Sequence, residues 1–259
     1  MGKTKMRKEK IKVKSFAEGE YYHIYNRGVE KRNIFLSTSD YERALFCILA
    51  FSVGDFHDRM NRINQHGQHL MLAMLTDPIY IRKFMNKDPL VRVICFCLMQ
   101  NHFHLLLEER SKDGISRYMQ RLGNSYTKYF NAKYKRSGHL FGSSYQCVHI
   151  DDNEYLKYLS RYIHRNPIES THKKISGNKK KYIKNYPWSS YQDYIFKNRW
   201  GGLLSPAIIT DQFSSMEEYK EFVEEAFGDN DAIDKKYFLD GWPTSNVGQR
   251  SLASKLLSG

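Results

Sequence analysis

Apolar and polar positions alternate or recur along this chain in a pattern that predicts eight elements. Tyr21-Tyr22-His23-Ile24-Tyr25-Asn26 reads as a first strand closed by Arg27-Gly28. Ser37 to Asp40 then offer N-caps for a helix through Tyr41, Leu45, Ile48 and Leu49 that ends near Gly54. Two strand-like runs follow, Val91 to Leu98 and His102 to Leu107, joined through Gln100-Asn101 as a tight hairpin, since Asn tolerates positive φ. Ile115, Tyr118, Met119, Leu122, Tyr126, Tyr129 and Phe130 recur at helical spacing behind a capping Asp113. Gln146 to Ile150 is a short strand, and Asp151-Asp152-Asn153 caps a helix from Glu154 that should stop at or before Asn166, because Pro167 disfavours helical geometry there. A last helical pattern runs from Ser215 to Phe227.

This βαββαβ order, followed by one more helix, suits an α+β fold: an antiparallel sheet with helices on one face, plus a C-terminal helical extension. The stretch from 55 to 90 is weakly patterned, with short helical patterns near Leu70 to Leu75 and Tyr80 to Met85. His57, His66 and His69 within it match no ligand spacing. The division expected is a basic arm over 1–18, a main domain over 19–195, and an acidic helical extension over 196–259.

Charge narrows the function. The 259 residues hold 41 Lys and Arg against 28 Asp and Glu, a net charge of +13, which points to a polyanionic partner, nucleic acid before membrane. Aromatic residues make up 14% of the chain, and aromatics among cations suit unstacked bases. Residues 1–18 carry seven Lys or Arg and two Glu. Residues 112–147 carry seven Lys or Arg and one Asp, and there Arg117, Arg121, Asn124 and Lys128 form one continuous helical stripe. A face that served only solvation would mix its signs, so the stripe is expected to meet phosphates. The sign reverses between 207 and 240, with ten Asp or Glu and three Lys. Cys47, Cys95, Cys97 and Cys147 show no CxxC spacing and read as small apolar residues in a reducing compartment. No secretory signal and no apolar run of membrane-spanning length is present, so a cytoplasmic, nucleoid-associated location is expected.

The candidate chemistry sits at His102-Phe103-His104. Side chains alternate along a strand, so the two imidazoles leave one face together and can share a metal ion. The helix from Glu154 carries Tyr162 and Asn166 at i, i+4. If that helix lies beside the histidine strand, a phenol meets a metal held by His102, His104 and the Asn166 amide oxygen. A free Tyr, with a pKa of about 10, needs activation to act as a nucleophile at neutral pH. A divalent ion at the scissile phosphate supplies it as a Lewis acid. Tyr118, Tyr126, Tyr129, Tyr155 and Tyr158 compete for the role, and spacing to a third ligand favours Tyr162.

Five pieces in order resemble the single-tyrosine HUH transposases of the REP-associated type, relatives of the IS200-like transposases. They are Tyr22-His23-Ile24-Tyr25-Asn26-Arg27-Gly28, Met99 to Leu106, Gly138-His139-Leu140-Phe141, Arg161 to Pro167, and Trp188-Ser189-Ser190-Tyr191. The resemblance implies a ferredoxin-like HUH endonuclease fold, His102, His104 and Asn166 as ligands of Mg²⁺ or Mn²⁺, and Tyr162 as nucleophile. It further implies cleavage of single-stranded DNA beside imperfect hairpins to a 5′-phosphotyrosine and a 3′-hydroxyl, by a monomer or a homodimer. His23, Asn26 and Arg27 of the first piece join the basic stripe as expected DNA contacts. Two other classes stand beside this reading: a domesticated binder of structured nucleic acid that no longer cuts, and an HUH replication initiator or relaxase.

Overall fold

The computed structural model describes residues 15–53, 75–85, 88–169 and 178–225. Most of the basic arm, the histidines at 57, 66 and 69, the helical pattern before Leu75 and the acidic residues beyond 225 lie outside the described residues. Four strands, β1 (Tyr21–Arg27), β2 (Val91–Met99), β3 (His102–Glu109) and β4 (Gln146–Ile150), form one sheet in the order β2-β3-β1-β4. Every pairing is antiparallel. This is the split βαββαβ arrangement that the element order predicts.

Helices α1 (Thr38–Ala50) and α3 (Gly114–Lys133) lie on one face of the sheet, against Tyr22, Ile24, Phe103, Leu105 and Leu107. Helix α2 (Pro78–Met85) follows α1, and its Ile81 packs at the edge of the same cluster. The other face is not open: α4 (Asn153–Glu169) covers it with Leu156, Leu159, Tyr162 and Ile163. Short helices α5 (Lys179–Lys184), α6 (Tyr191–Ile195) and α7 (Ala207–Thr210) and the final α8 (Met216–Glu224) complete that layer. Residues of the expected extension enter both cores: Trp200, Leu203 and Leu204 on the α1 side, and Ile209, Tyr219 and Val223 on the α4 side.

Strand β2 feeds both cores because it carries a bulge. The register slips between Val93 and Cys95, so Val93 and Phe96 share one face although they stand three positions apart. Ile94, Cys95, Cys97 and Met99 face the other way. A continuous apolar run from Val93 to Met99 is therefore what a strand buried on both faces requires. The outer edge of β2 is also occupied: Leu98 N–H donates to Trp188 carbonyl at 2.8 Å, Ser190 N–H to Phe96 carbonyl at 3.0 Å, and Ser205 N–H to Val93 carbonyl at 2.9 Å.

Three local expectations are corrected. Gln100-Asn101 is the two-residue hairpin loop, but neither residue takes a positive φ, so Asn101 is there for its side chain and not for its backbone. Asp113 is left-handed and makes no side-chain cap; the Glu109 carboxylate instead accepts from the N–H groups of Gly114 at 2.8 Å and Ile115 at 2.7 Å, placing a negative charge at the α3 N-terminus. Gly114 is fixed by proximity, since a Cβ there would lie 2.1 Å from the Leu90 carbonyl oxygen. Helix α4 continues through Pro167 to Glu169. Within the last turn the proline forfeits the single bond to the Ile163 carbonyl, and the fully buried helix face outweighs that loss.

Candidate active site

Alternation along β1 and β3 sorts the candidate residues onto faces. His102 and His104 point toward α4, while Phe103, Leu105 and Leu107 point toward α1 and α3. Across the ladder Tyr25 opposes His104 and Arg27 opposes His102, so His23, Tyr25 and Arg27 share the histidine face and Asn26 takes the opposite one.

The structure brings the four expected catalytic and ligand residues together. His102 Nε2 lies 3.0 Å from Asn166 Oδ1. The Tyr162 ring stands edge-on to His104, with centroids 5.5 Å apart at 90°. The two imidazoles are 5.1 Å apart and perpendicular. All four residues are buried, with Tyr162 and His102 the most accessible at 7%.

Hydrogen bonds behind the rings aim them. His102 Nδ1 donates to Asn101 Oδ1 at 2.6 Å, a contact set by the hairpin loop itself, and Asn101 Nδ2 is tied to the Lys31 carbonyl at 3.1 Å. Both neighbours are amide oxygens, which only accept, and a neutral ring has one N–H to give; assigned to the shorter contact, at Nδ1, it leaves the Nε2 lone pair facing Asn166. His104 Nδ1 pairs with His23 Nε2 at 3.0 Å, leaving His104 Nε2 on the far side of its ring. Burial first, then the nearby Arg27 charge, lowers His102 to about 4 despite the Asn166 contact. Burial likewise holds His23 and His104 well below the usual imidazole range, so the rings are neutral near pH 7 and offer lone pairs.

Two imidazoles and one amide oxygen suit borderline ions such as Zn²⁺ as well as harder ones such as Mg²⁺ and Mn²⁺, so the donor set alone leaves the metal open. Two acceptor atoms 3.0 Å apart, His102 Nε2 and Asn166 Oδ1, match one edge of an octahedron with bonds of about 2.1 Å. Among the described residues no group of three His, Cys, Asp or Glu is arranged around a metal position, so any such site here depends on the amide.

The expected DNA contacts separate. His23 is fully buried against His104 and faces no solvent, which removes it from the DNA surface. Arg27 stays partly exposed beside His102. Arg117, Asn124 and Lys128 are exposed on α3, and Arg121 is half-buried. Asn26, Asn124 and Lys128 line a cleft of about 770 Å³ between α3 and residues 138–145, on the sheet face opposite the histidines. Asn26 opposes Phe103, itself a cleft residue, so the cleft and the histidine cluster meet at the same end of the sheet.

Sequence reasoning missed Asn101 and Tyr25. Asn101 is adjacent to the first histidine, where a short polar side chain commonly bonds its neighbour. Tyr25 stacks on His23 with centroids 5.0 Å apart and lies 5.8 Å from His104. Period-2 alternation from His23 predicts its face, but only the β1–β3 register reveals its neighbour.

No curated protein matches the chain. Among solved structures, a REP-associated tyrosine transposase bound to a REP hairpin is similar at 14% identity and a TM-score of 0.43, over 72% of this chain and 88% of that one. The tRNA(His) guanylyltransferase of Saccharomyces cerevisiae is similar at 11% identity and a TM-score of 0.29, over 82% of this chain and 79% of that one. No helix among the described residues is long and apolar enough to cross a membrane. Residues 61–166, which hold the histidine hairpin, the basic helix and α4 as far as Asn166, match the model of the family described as Transposase IS200 like, the family that the sequence motifs resemble.

Proposed function

We propose that this protein is a metal-dependent endonuclease and strand transferase for single-stranded DNA, working through a 5′-phosphotyrosine at Tyr162. The observation that carries the reading is the convergence of Tyr162 on His104 and of Asn166 on His102 from a helix 52 residues downstream of Asn101, on one buried sheet face. His102, His104 and Asn166 would hold Mg²⁺ or Mn²⁺. Bound there, the ion supplies Lewis-acid polarisation of the scissile phosphate.

The chain's own residues do the rest. Arg27, beside His102, neutralises the phosphate oxygens and orients the phosphorus. Tyr162 Oη forms the bond to phosphorus and loses its proton to solvent. The bond from phosphorus to the 3′-oxygen breaks, and that oxygen takes up a proton to leave a free 3′-hydroxyl. The phosphodiester energy is kept in the adduct, so a second 3′-hydroxyl can reverse the step and join strands without ATP. Asn26, Asn124 and Lys128 would lead the strand from the cleft around the end of β1 to His102, and Arg117 would add phosphate contacts along α3. The division into a basic arm over 1–18, a nuclease domain over 19–195 and an extension over 196–259 belongs to the same proposal.

The test is a hairpin oligonucleotide with a single-stranded flank, incubated with protein and Mn²⁺. A covalent protein–DNA band resistant to denaturant is expected from the native chain and absent from Tyr162→Phe. Cleavage with no adduct, or an adduct that survives Tyr162→Phe, would overturn the assignment.

A further inference from the structure

Helix α4 is held from behind by residues far past it in the chain. Ser160 and His164 are both fully buried and share a helix face, about 200° around the axis from Tyr162. His164 Nδ1 lies 2.7 Å from Tyr219 Oη and His164 Nε2 lies 2.8 Å from Ser190 Oγ. Tyr219 Oη is also 3.1 Å from Ser160 Oγ. Ser190 is anchored on β2, where its Oγ accepts from Phe96 N–H at 2.9 Å and donates to Phe96 carbonyl at 3.3 Å.

A hydroxyl has one proton to give and an imidazole bonded at both nitrogens here gives one. One order satisfies every contact along the chain: Tyr219 O–H donates to His164 Nδ1, His164 Nε2–H to Ser190 Oγ, and Ser190 O–H to the Phe96 carbonyl, while the reverse order, with Ser160 O–H passing to the Lys157 carbonyl, forfeits only the last of these. The order runs from α8 through α4 into the strand that pairs with the histidine strand. A second grip flanks it. The Phe222 ring lies 5.3 Å from Tyr158 and 5.0 Å from the guanidinium of Arg161, the residue before Tyr162. Glu224 accepts from Tyr191 Oη at 2.9 Å and pairs with Lys184 at 3.2 Å, pinning α8 to α5 and α6.

We propose that Tyr219, acting through His164 and Ser190, is a positioning residue that sets the rotation of α4 about its own axis and so the aim of Tyr162. A phenol oxygen sits about 8 Å from its helix axis, so a rotation of about 10° moves it by roughly 1.4 Å. A misplacement of that size costs on the order of 10²-fold in rate. Tyr219 lies beyond the segment 61–166 that carries the family match. The inference rests on Tyr162 as the nucleophile, and its test separates the two.

Tyr219→Phe in the full chain keeps the ring in its pocket and deletes only the hydroxyl; Ser190→Ala breaks the same chain at its other end. Each variant, folded by circular dichroism, is expected to bind the hairpin without metal within twofold of the native affinity. Each should form the covalent adduct 10- to 100-fold more slowly in single turnover, and the double variant no more slowly than the worse single one. Amide exchange over residues 160–166 should quicken in both. Native adduct rates in both folded variants would overturn the proposal. If the native chain itself forms no adduct, the nucleophile assignment fails, and unchanged amide exchange at 160–166 would then overturn the positioning role as well.

Discussion

His23 and His104 stack with rings 6° from parallel and centroids 5.1 Å apart, joined by a 3.0 Å contact from Nε2 to Nδ1. They are diagonal neighbours on adjacent strands, since His23 opposes Leu106 and His104 opposes Tyr25. When His104 presents Nε2 to a cation its Nδ1 must carry the proton, and His23 Nε2 is the acceptor in place for it. Replacement of His23 by Phe keeps the stacking and removes the acceptor. Mn²⁺ affinity measured by calorimetry should fall 10- to 100-fold, whereas hairpin binding in EDTA stays unchanged; an unaltered Mn²⁺ affinity would make His23 simple filling.

Tyr25 is the nearest rival to Tyr162, on the same face and beside the same histidine. Burial, and then the proximity of Cys147, raises its phenol above the ordinary value, so it ionises less readily than a free tyrosine near neutrality. Tyr25→Phe should keep at least a tenth of the native adduct rate, and peptide mapping of the adduct should place DNA on residue 162. DNA mapped to residue 25 would reassign the nucleophile.

Exposed cations on α3 should act through phosphates alone. Lys128→Ala and Arg117→Ala are each expected to lower hairpin affinity and to reduce the slope of log affinity against log salt by about 0.7 to 0.9. Asn124 carries no charge, so Asn124→Ala should weaken binding without changing that slope. Equal slopes for all three variants would take the stripe off the DNA path.

Acid should destabilise the metal-free protein. His102 is lowered to about 4 and His164 to about 3, both chiefly by burial, while His23 and His104 fall well below the usual 6.5. These groups bind protons more readily once unfolded. Their contribution to stability is therefore complete above pH 6.5 and is lost as pH falls toward their folded values. Each adds about 1.4 kcal/mol per pH unit to the slope of stability in that window. Urea unfolding in EDTA at pH 7, 6, 5 and 4 should show this, and His164→Gln should flatten the slope by about one proton. A slope unchanged in His164→Gln would mean that this ring is already charged in the folded state.

The sequence predicts the element order and the faces on which the candidate residues stand because both rest on local periodicity: period two carries His102 and His104 to one face, and i, i+4 spacing carries Tyr162 and Asn166 to one stripe. What it does not predict comes from register and from long-range packing. Whether position 23 faces water or another imidazole depends on how β1 slides against β3, and no short-range pattern fixes that for a strand flanked on both sides. Glu109 displaces Asp113 as the α3 cap because the end of β3 brings its carboxylate to two free N–H groups, a contact set by where the hairpin ends. Pro167 shows the same effect in reverse, with tertiary burial overriding a sound local rule. Tyr219 and Ser190 reach α4 across 55 and 26 residues, beyond the range of any spacing argument.

The segment from Trp188 to Ser205 that borders β2 has one more effect. An uncovered outer strand offers a row of amide and carbonyl groups on which a foreign chain can assemble, a hazard that proteins blunt by capping such borders. Here the Trp188, Ser190 and Ser205 backbone groups already occupy that border at three points. An apolar strand as sticky as Val93 to Met99 is thereby kept from recruiting neighbours, and growth of the sheet on the side nearest the histidine hairpin is closed off.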